Sequence, residues 1–494
     1  MPLSRRKMMT GALAASAAAV LAACGEPKLV ELPGEFQGAG ETGDAPPTVI
    51  IPEGAASAGP QGPVSVNLGV ATGNPLAAQL ESQVHGAVAD ARALNENLDV
   101  NVVQISVGQG FQFQSNPDVF VQAVESALGD NKSLDLLIVG SRAEMLALQD
   151  IGLLQPIDRF FSASSGSLDD YYPAAADFGG FDGRTWALPI ALVPTVFWYG
   201  EEQFLNAGIE PPPPEGWTWE EFQIAAEELT IAAGADGSGG QWGHYFTPSS
   251  PFSQSSSLIL IWQNGGGLVA ADGSRSLLAE PAAIDTVGLI EKMVHQDGVA
   301  PATDPELTSF GSGGGGDDRD DGGGGGGGGG RRGFRLEVNG QRLATMFGPA
   351  TLPFGIGGLD QLGVRVSGMI RGREEATAAT VPAAIAVMEG ASDAGDAFFA
   401  LREVSAKMET RMSFPARRTG VEEILALSDG LTRPEAEAIL RGLETARVPI
   451  FDQSQQILQI LANEVENPVI SGSLSAAEAC KNGADAIDEL LAEE

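Results

Sequence analysis

Leu134-Asp135-Leu136-Leu137-Ile138-Val139-Gly140-Ser141 is a short apolar run closed by a small-residue turn, and it leads directly into a helical pattern. A run of this length bounded by turn residues reads as a buried strand. Upstream, Val64-Ser65-Val66-Asn67-Leu68-Gly69-Val70 alternates like a strand, and a helical stretch follows from Pro75 to Asn97. Then come an apolar strand from Val100 to Val107 and a helix carrying Phe120, Val124 and Leu128 on one face. Strands alternating with helices at this spacing predict βαβ units and a parallel-rich sheet with helices on both faces. Ligands of such sheets bind outside the carboxyl ends of the strands. The segments Ala71-Thr72-Gly73-Asn74, Gly108 to Asn116 and Gly140 to Glu144 are therefore expected to face a site.

Downstream, Thr218-x-x-Glu221 is a capping box opening a helix that buries Phe222, Ala226 and Leu229. Pro281 opens another, with Ile284, Val287, Ile290 and Val294 inward and Gly298 ending it. Ser475-x-x-Glu478 caps a terminal helix. An α/β order maintained over 494 residues predicts two lobes. One segment departs from this pattern. Gly311 to Gly333 contains nine consecutive glycines, Gly322 to Gly330, beside Asp317-Asp318-Arg319-Asp320-Asp321. Polyglycine cannot offset its ordering entropy by burial, so a disordered surface insertion is expected. The aspartate spacing does not match an EF-hand loop.

The N-terminus reads as an export signal. Ser4-Arg5-Arg6-Lys7 is basic and Gly11 to Ala22 is Ala-rich and apolar, yet shorter than the roughly 20 residues a membrane span needs. It ends in Leu21-Ala22-Ala23-Cys24, which resembles a bacterial lipobox, with residues 1–23 cleaved and Cys24 lipidated. The paired arginines resemble a twin-arginine signal, with Met8-Met9 where Phe-Leu is usual. Residues 24–62, rich in Gly, Pro, Ala and Glu, read as a flexible tether. With Cys24 lipidated, Cys480 stands alone, so no intramolecular disulfide forms. Its spacing to Ala484, Ile487 and Leu491 predicts a buried apolar position. The formal charge of −37 repels nucleic acid and anionic membrane surfaces, and disfavours an anionic ligand outside a local arginine pocket.

Further motifs carry a family resemblance. Leu134 to Val139 followed by Leu146 to Asp158 is similar to an aspartate-containing strand, a helix and a "G-x-L-x-P-L-D" passage. Gly183-Arg184-Thr185-Trp186-Ala187-Leu188-Pro189, Pro194 to Tyr199 and Trp217-Thr218-Trp219-Glu220-Glu221 match successive later motifs, with Trp198-Tyr199-Gly200 standing where Tyr-Asn is usual. Asn264-Gly265-Gly266-Gly267-Leu268, Arg342 to Pro349 and Phe414-Pro415-Ala416-Arg417-Arg418 follow in order. Together they resemble the family 1 extracellular solute-binding proteins, the group of maltose and multiple-sugar receptors. The resemblance implies a two-lobed periplasmic-binding-protein fold of type II, hinged between lobes. It places one lobe at 63–186 plus 383–442 and the other at 187–382 plus 443–494. It also implies a lipid-anchored receptor on the outer face of the cell membrane. That receptor would deliver a carbohydrate to ABC permease subunits as a monomer, with no cofactor.

A sugar presents hydroxyls for hydrogen bonds and an apolar face for stacking, so its site mixes aromatic rings with amide, carboxylate and guanidinium groups. The aromatic candidates are Trp186, Trp198, Tyr199, Trp242, Tyr245, Trp262 and Phe347. The polar candidates are Asn74, Ser141, Glu144, Asn264 and Arg417. His85, His244 and His295 are the only histidines and have no metal-ligand spacing. Gly237-Ser238-Gly239 and Gly311-Ser312-Gly313 lack the preceding strand of a nucleophile elbow, and no Walker A motif is present. An enzyme is therefore not expected. A surface lipoprotein that captures polysaccharide, or a receptor for a polyamine or peptide, would share the same cleft.

Overall fold

A computed structural model describes residues 62–72, 75–107, 117–130, 132–163, 168–234, 239–247, 255–302, 337–338, 341–350, 363–409, 411–412, 414–419, 421, 431–450 and 453–492. The signal, Cys24, the tether, Asn74, Gly108 to Asn116 and the glycine tract lie outside them.

In chain order the principal strands are β1 (Val64–Thr72), β2 (Leu98–Ser106), β3 (Leu136–Val139), β4 (Leu154–Gln155), β5 (Ala187–Pro189) and β6 (Val193–Gly200). They continue with β7 (Gln241–Trp242), β8 (Gln341–Leu343), β9 (Thr345–Pro349), β10 (Val364–Ser367), β11 (Thr377–Thr380), β12 (Ala384–Met388) and β13 (Ala446–Arg447). The first sheet runs β2-β1-β3-β12-β4, with β5 also on β12. β1 pairs in parallel with β2 and β3, as the alternating pattern predicts. The second sheet runs β9-β6-β11-β13, with β10 also on β6.

Both sheets are mixed rather than parallel-rich. β12 is antiparallel to β3, β4 and β5, and β6 is antiparallel to β9, β10 and β11. The reason lies in the connection between the lobes. β5 and β6 leave the first sheet for the second, while β11 and β12 return, so the returning chain must run the opposite way. The two form one ribbon: Ala379 and Thr380 pair with Pro194 and Val193, then Ala384 pairs with Pro189. Between those pairs the Ile190 amide donates to the Ala383 carbonyl at 3.0 Å. A third segment flanks the crossing. The Leu192 amide donates to the Phe414 carbonyl at 3.1 Å, and the Ala416 amide to the Ile190 carbonyl at 3.0 Å.

Helices Pro75–Leu94, Pro117–Gly129, Arg142–Asp150 and Ala394–Glu409 bury their apolar faces with the first sheet. Helices Trp219–Leu229, Ser256–Gln263, Pro281–His295 and Ala476–Ala492 form a separate core. The Thr218 capping box closes as the sequence predicts, with the hydroxyl accepting from the Glu221 amide and the carboxylate accepting from the Thr218 amide. Cys480 is fully buried, and burial pushes its thiol up to about 12.

The crossing falls at 190–193, a few residues beyond Trp186, because β5 still pairs in the first sheet. The expected boundary at Gly442 falls inside one continuous helix, Arg433–Thr445. That helix is tied to the second sheet: Arg365 on β10 donates to Glu435 at 2.6 Å.

Candidate functional site

At the carboxyl end of β3, the Ser141 hydroxyl accepts from the Glu144 amide at 3.2 Å, and the Glu144 carboxylate accepts from the Gly140 amide at 2.7 Å. Glu144, 3% exposed, is thus turned back onto its own turn, and Ser141 is the more accessible of the two. The Ser141 hydroxyl caps the helix as its sequence position predicts, while the Glu144 carboxylate reaches one residue past the cap, to Gly140.

The sequence places Trp198 and Phe347 at a ligand surface, and the structure puts both in the core with 0% exposure. Trp198 alternates inward on β6, donates its indole N–H to the Pro349 carbonyl at 3.0 Å and fills the space beside Gly348. Phe347 packs 5.0 Å from the His244 ring and 6.1 Å from Phe197, inside an aromatic cluster that also holds Phe222. Trp186, Tyr245, Trp262 and Asn264 are also buried. The Trp186 indole N–H donates to the Phe181 carbonyl at 3.1 Å. The Asn264 amide donates to the Ala282 carbonyl at 3.0 Å, joining two helices.

Two aromatic candidates retain exposure. Tyr199 lies 5.0 Å from Phe204 beside the Arg365–Glu435 pair; burial and the Glu435 charge push its hydroxyl up, and Arg365 opposes them. Trp242 is half-buried, and its buried indole N–H has no acceptor among the described residues. Arg417 holds Glu409 through Nε at 2.8 Å and through Nη2, beside Tyr171. Burial, more than any charge, raises both the Glu409 carboxyl and the Tyr171 hydroxyl. The candidates therefore divide among separate places: the β3 turn, the two cores and the Arg417 clasp.

Three polar groups outside the candidate ligand set hold this frame. Asp135 accepts from the Asn67 amide at 2.8 Å and from the Ser392 amide and hydroxyl at 2.8 and 2.9 Å. Its signal was a lone carboxylate in an apolar strand, because a buried charge must find donors. Arg142 donates through Nη1 to the carbonyls of Asp177, Phe178 and Gly180 at 3.0, 2.9 and 2.7 Å. It satisfies the carbonyl end of helix Pro173–Gly179, where a cation is favoured. His244 is fully buried; its Nδ1 lies 2.8 Å from the Thr345 hydroxyl, which itself donates to the Gly243 carbonyl at 2.6 Å. Nδ1 is thus the protonated nitrogen, and burial pushes the imidazole down to about 3.

Among the described residues, no group of three His, Cys, Asp or Glu side chains is arranged to hold a metal ion, and no helix is long and apolar enough to cross a membrane.

Comparison with known proteins gives three findings. The model of the bacterial extracellular solute-binding protein family matches residues 77–313. A binding protein of Brucella abortus is 25% identical over 194 residues, which is 39% of this chain; the chain spans 43% of the length of the curated relatives it matches. Among solved structures, the cyclic α-maltosyl-1,6-maltose binding protein from Arthrobacter globiformis is similar with a TM-score of 0.63 at 17% identity, over 88% of this chain and 100% of the other. UgpB from Mycobacterium tuberculosis, in complex with glycerophosphocholine, is similar with a TM-score of 0.59 at 16% identity, over 88% and 99%. At these identities the structural likeness is one of fold.

Proposed function

We propose that this chain is a bacterial extracellular solute-binding protein, the ligand-capturing subunit of an ABC importer, and that it takes up a mono- or oligosaccharide; the partial family match and the two-lobed fold support the reading. The observation that carries the reading is the antiparallel ribbon formed by residues 187–200 and 377–388, which joins the two sheets through a few hydrogen bonds. A narrow crossing of this kind lets two rigid lobes swing onto a solute. On this reading the lobes change over at 190–193 and 381–383, and the ligand lies between them and is delivered unaltered to membrane permease subunits. The chain works as a monomer without a cofactor and is not an enzyme.

The proposed ligand contacts are Asn74 and Ser141 at strand ends, with Tyr199, Trp242 and Arg417 as secondary candidates. Export and lipidation at Cys24 would hold the folded body at the outer face of the membrane through the 24–62 tether. The match to a maltosyl-maltose binding protein supports a sugar. The similar fold of a glycerophosphocholine complex keeps a non-sugar solute as the second reading.

Uptake by intact cells tests the transport reading. Deleting the chain should abolish accumulation of one labelled saccharide, and restoring it should rescue uptake. The Cys24→Ala form should appear in the soluble fraction. Unchanged uptake of every labelled saccharide in the deletion strain would refute transport of sugars by this chain.

A further inference from the structure

Arg418 stands just past Ala416, whose amide flanks the crossing, and its side chain reaches toward both sheets. On the side of the first sheet, Nη1 donates to the carbonyls of Asp169 and Tyr171 at 3.1 and 2.9 Å, and the Arg418 amide donates to the Asp170 carbonyl at 2.7 Å. The guanidinium also lies over the Tyr172 ring, 5.2 Å from its centroid. On the side of the second sheet, Nε and Nη2 donate to the two Glu444 oxygens, each at 2.9 Å.

Each end of this bridge is fixed to its own sheet. Residues 169–172 lead into helix Pro173–Gly179, whose carbonyl end is held by Arg142, and the Trp186 amide donates to the Gly179 carbonyl at 2.9 Å just before β5. Glu444 belongs to helix Arg433–Thr445, which Arg365 ties to β10 and which presses onto β6 at Gly442, where a Cβ would meet Pro194 at 3.2 Å. The chain then enters β13, which pairs with β11. Other ion pairs stay on one side: Arg417–Glu409 and Arg411–Asp90 with the first sheet, Arg441–Glu375 and Arg447–Glu374 with the second.

An exposed ion pair is ordinarily worth little, because two long side chains must be ordered before they meet. Here two carbonyls and an aromatic face already place the guanidinium, and it grips both carboxylate oxygens. Hydrogen bonds weaken steeply once their length or angle departs from ideal. Rotation of one lobe about 190–193 and 381–383 moves Glu444 against the Asp169 and Tyr171 carbonyls, so it strains one set of these bonds or the other.

We infer that Arg418 and Glu444 form a clasp beside the hinge that restrains the angle between the lobes in the ligand-free chain. The inference rests on the hinged two-lobe reading above and is independent of which solute is taken up.

Pulsed electron-resonance distances test it without any ligand. Nitroxides are placed on Glu96→Cys in the first lobe and Glu489→Cys in the second, both exposed positions, in the full chain carrying Cys24→Ala. The parent should give one narrow distance distribution. Glu444→Gln, which leaves the bonds from Arg418 to the Asp169 and Tyr171 carbonyls in place, should broaden it. Arg418→Gln should broaden it too, and the double variant should go no further than the broader single, because each loses the same shared interaction. Glu444→Gln should melt within a few degrees of the parent, which separates a freed hinge from partial unfolding. An unchanged distribution in Glu444→Gln, or a double variant that adds the two effects, would overturn the proposal. Saccharide uptake by intact cells is a separate readout: its absence leaves the clasp standing, and an unchanged distribution leaves the transport reading standing.

Discussion

The Ile190 amide donates to the Ala383 carbonyl at 3.0 Å at the point where both strands pass from one sheet to the other. Ile190 also accepts from the Ala416 amide at 3.0 Å, and its side chain is fully buried. Replacing it with Ala removes packing at the crossing while leaving both backbone bonds. The expected cost is about 2–5 kcal/mol, the usual range for a buried aliphatic truncated to Ala. Urea denaturation reads it, and a midpoint equal to the parent's would show that the crossing is not packed as described.

Asp135 joins β1, β3 and the loop before helix Ala394–Glu409 through its bonds to Asn67 and Ser392. Asp135→Ala leaves a half-buried donor of Asn67 and two donors of Ser392 without their acceptor at once. The expected loss is about 3 kcal/mol or more, since each bond to a charged group is worth roughly 1.5–3 kcal/mol. Asp135→Asn, which keeps one acceptor oxygen, should lie between parent and Ala in the same denaturation series.

The strand-helix alternation, the capping boxes at Thr218 and Ser475, and the buried Cys480 were legible because periodicity and caps are local signals. The antiparallel return of β12 was not, since strand direction depends on which lobe the chain comes back from. The same limit explains Trp198 and Phe347. An aromatic residue beside a family motif reads alike whether its ring faces a ligand or a core, and only alternation along paired strands decides. The structural roles of Arg142 and His244 were not legible because their partners are backbone carbonyls and a threonine hydroxyl, which carry no sequence signature.

Arg142→Met keeps much of the apolar stem and removes the donors to the three carbonyls at the end of helix Pro173–Gly179. About 2–4 kcal/mol of stability should be lost, as expected when charge-assisted bonds are removed and buried carbonyls are left unpaired. Arg142→Lys, with one point donor in place of a fork, should recover only part of it.

His244 gives stability a pH dependence with a definite sign. Its folded-state pKa, about 3, lies below the ordinary 6.5, so between those values the unfolded chain binds the extra proton. Its contribution is therefore complete above about pH 6.5 and is lost as pH falls toward about 3, by up to about 1.4 kcal/mol per pH unit. His244→Gln should flatten the parent's stability profile by that one-proton slope in denaturation midpoints taken from pH 7 to pH 4. Parallel profiles for the two would contradict a neutral, buried imidazole.

The most direct test of the saccharide-receptor reading is titration calorimetry of the folded chain against a panel of mono- and oligosaccharides, with polyamines, amino acids and short peptides in parallel. Saturable one-to-one binding of at least one saccharide is expected, with no heat from the other classes. Binding confined to polyamines, amino acids or peptides, with every saccharide silent, would contradict it.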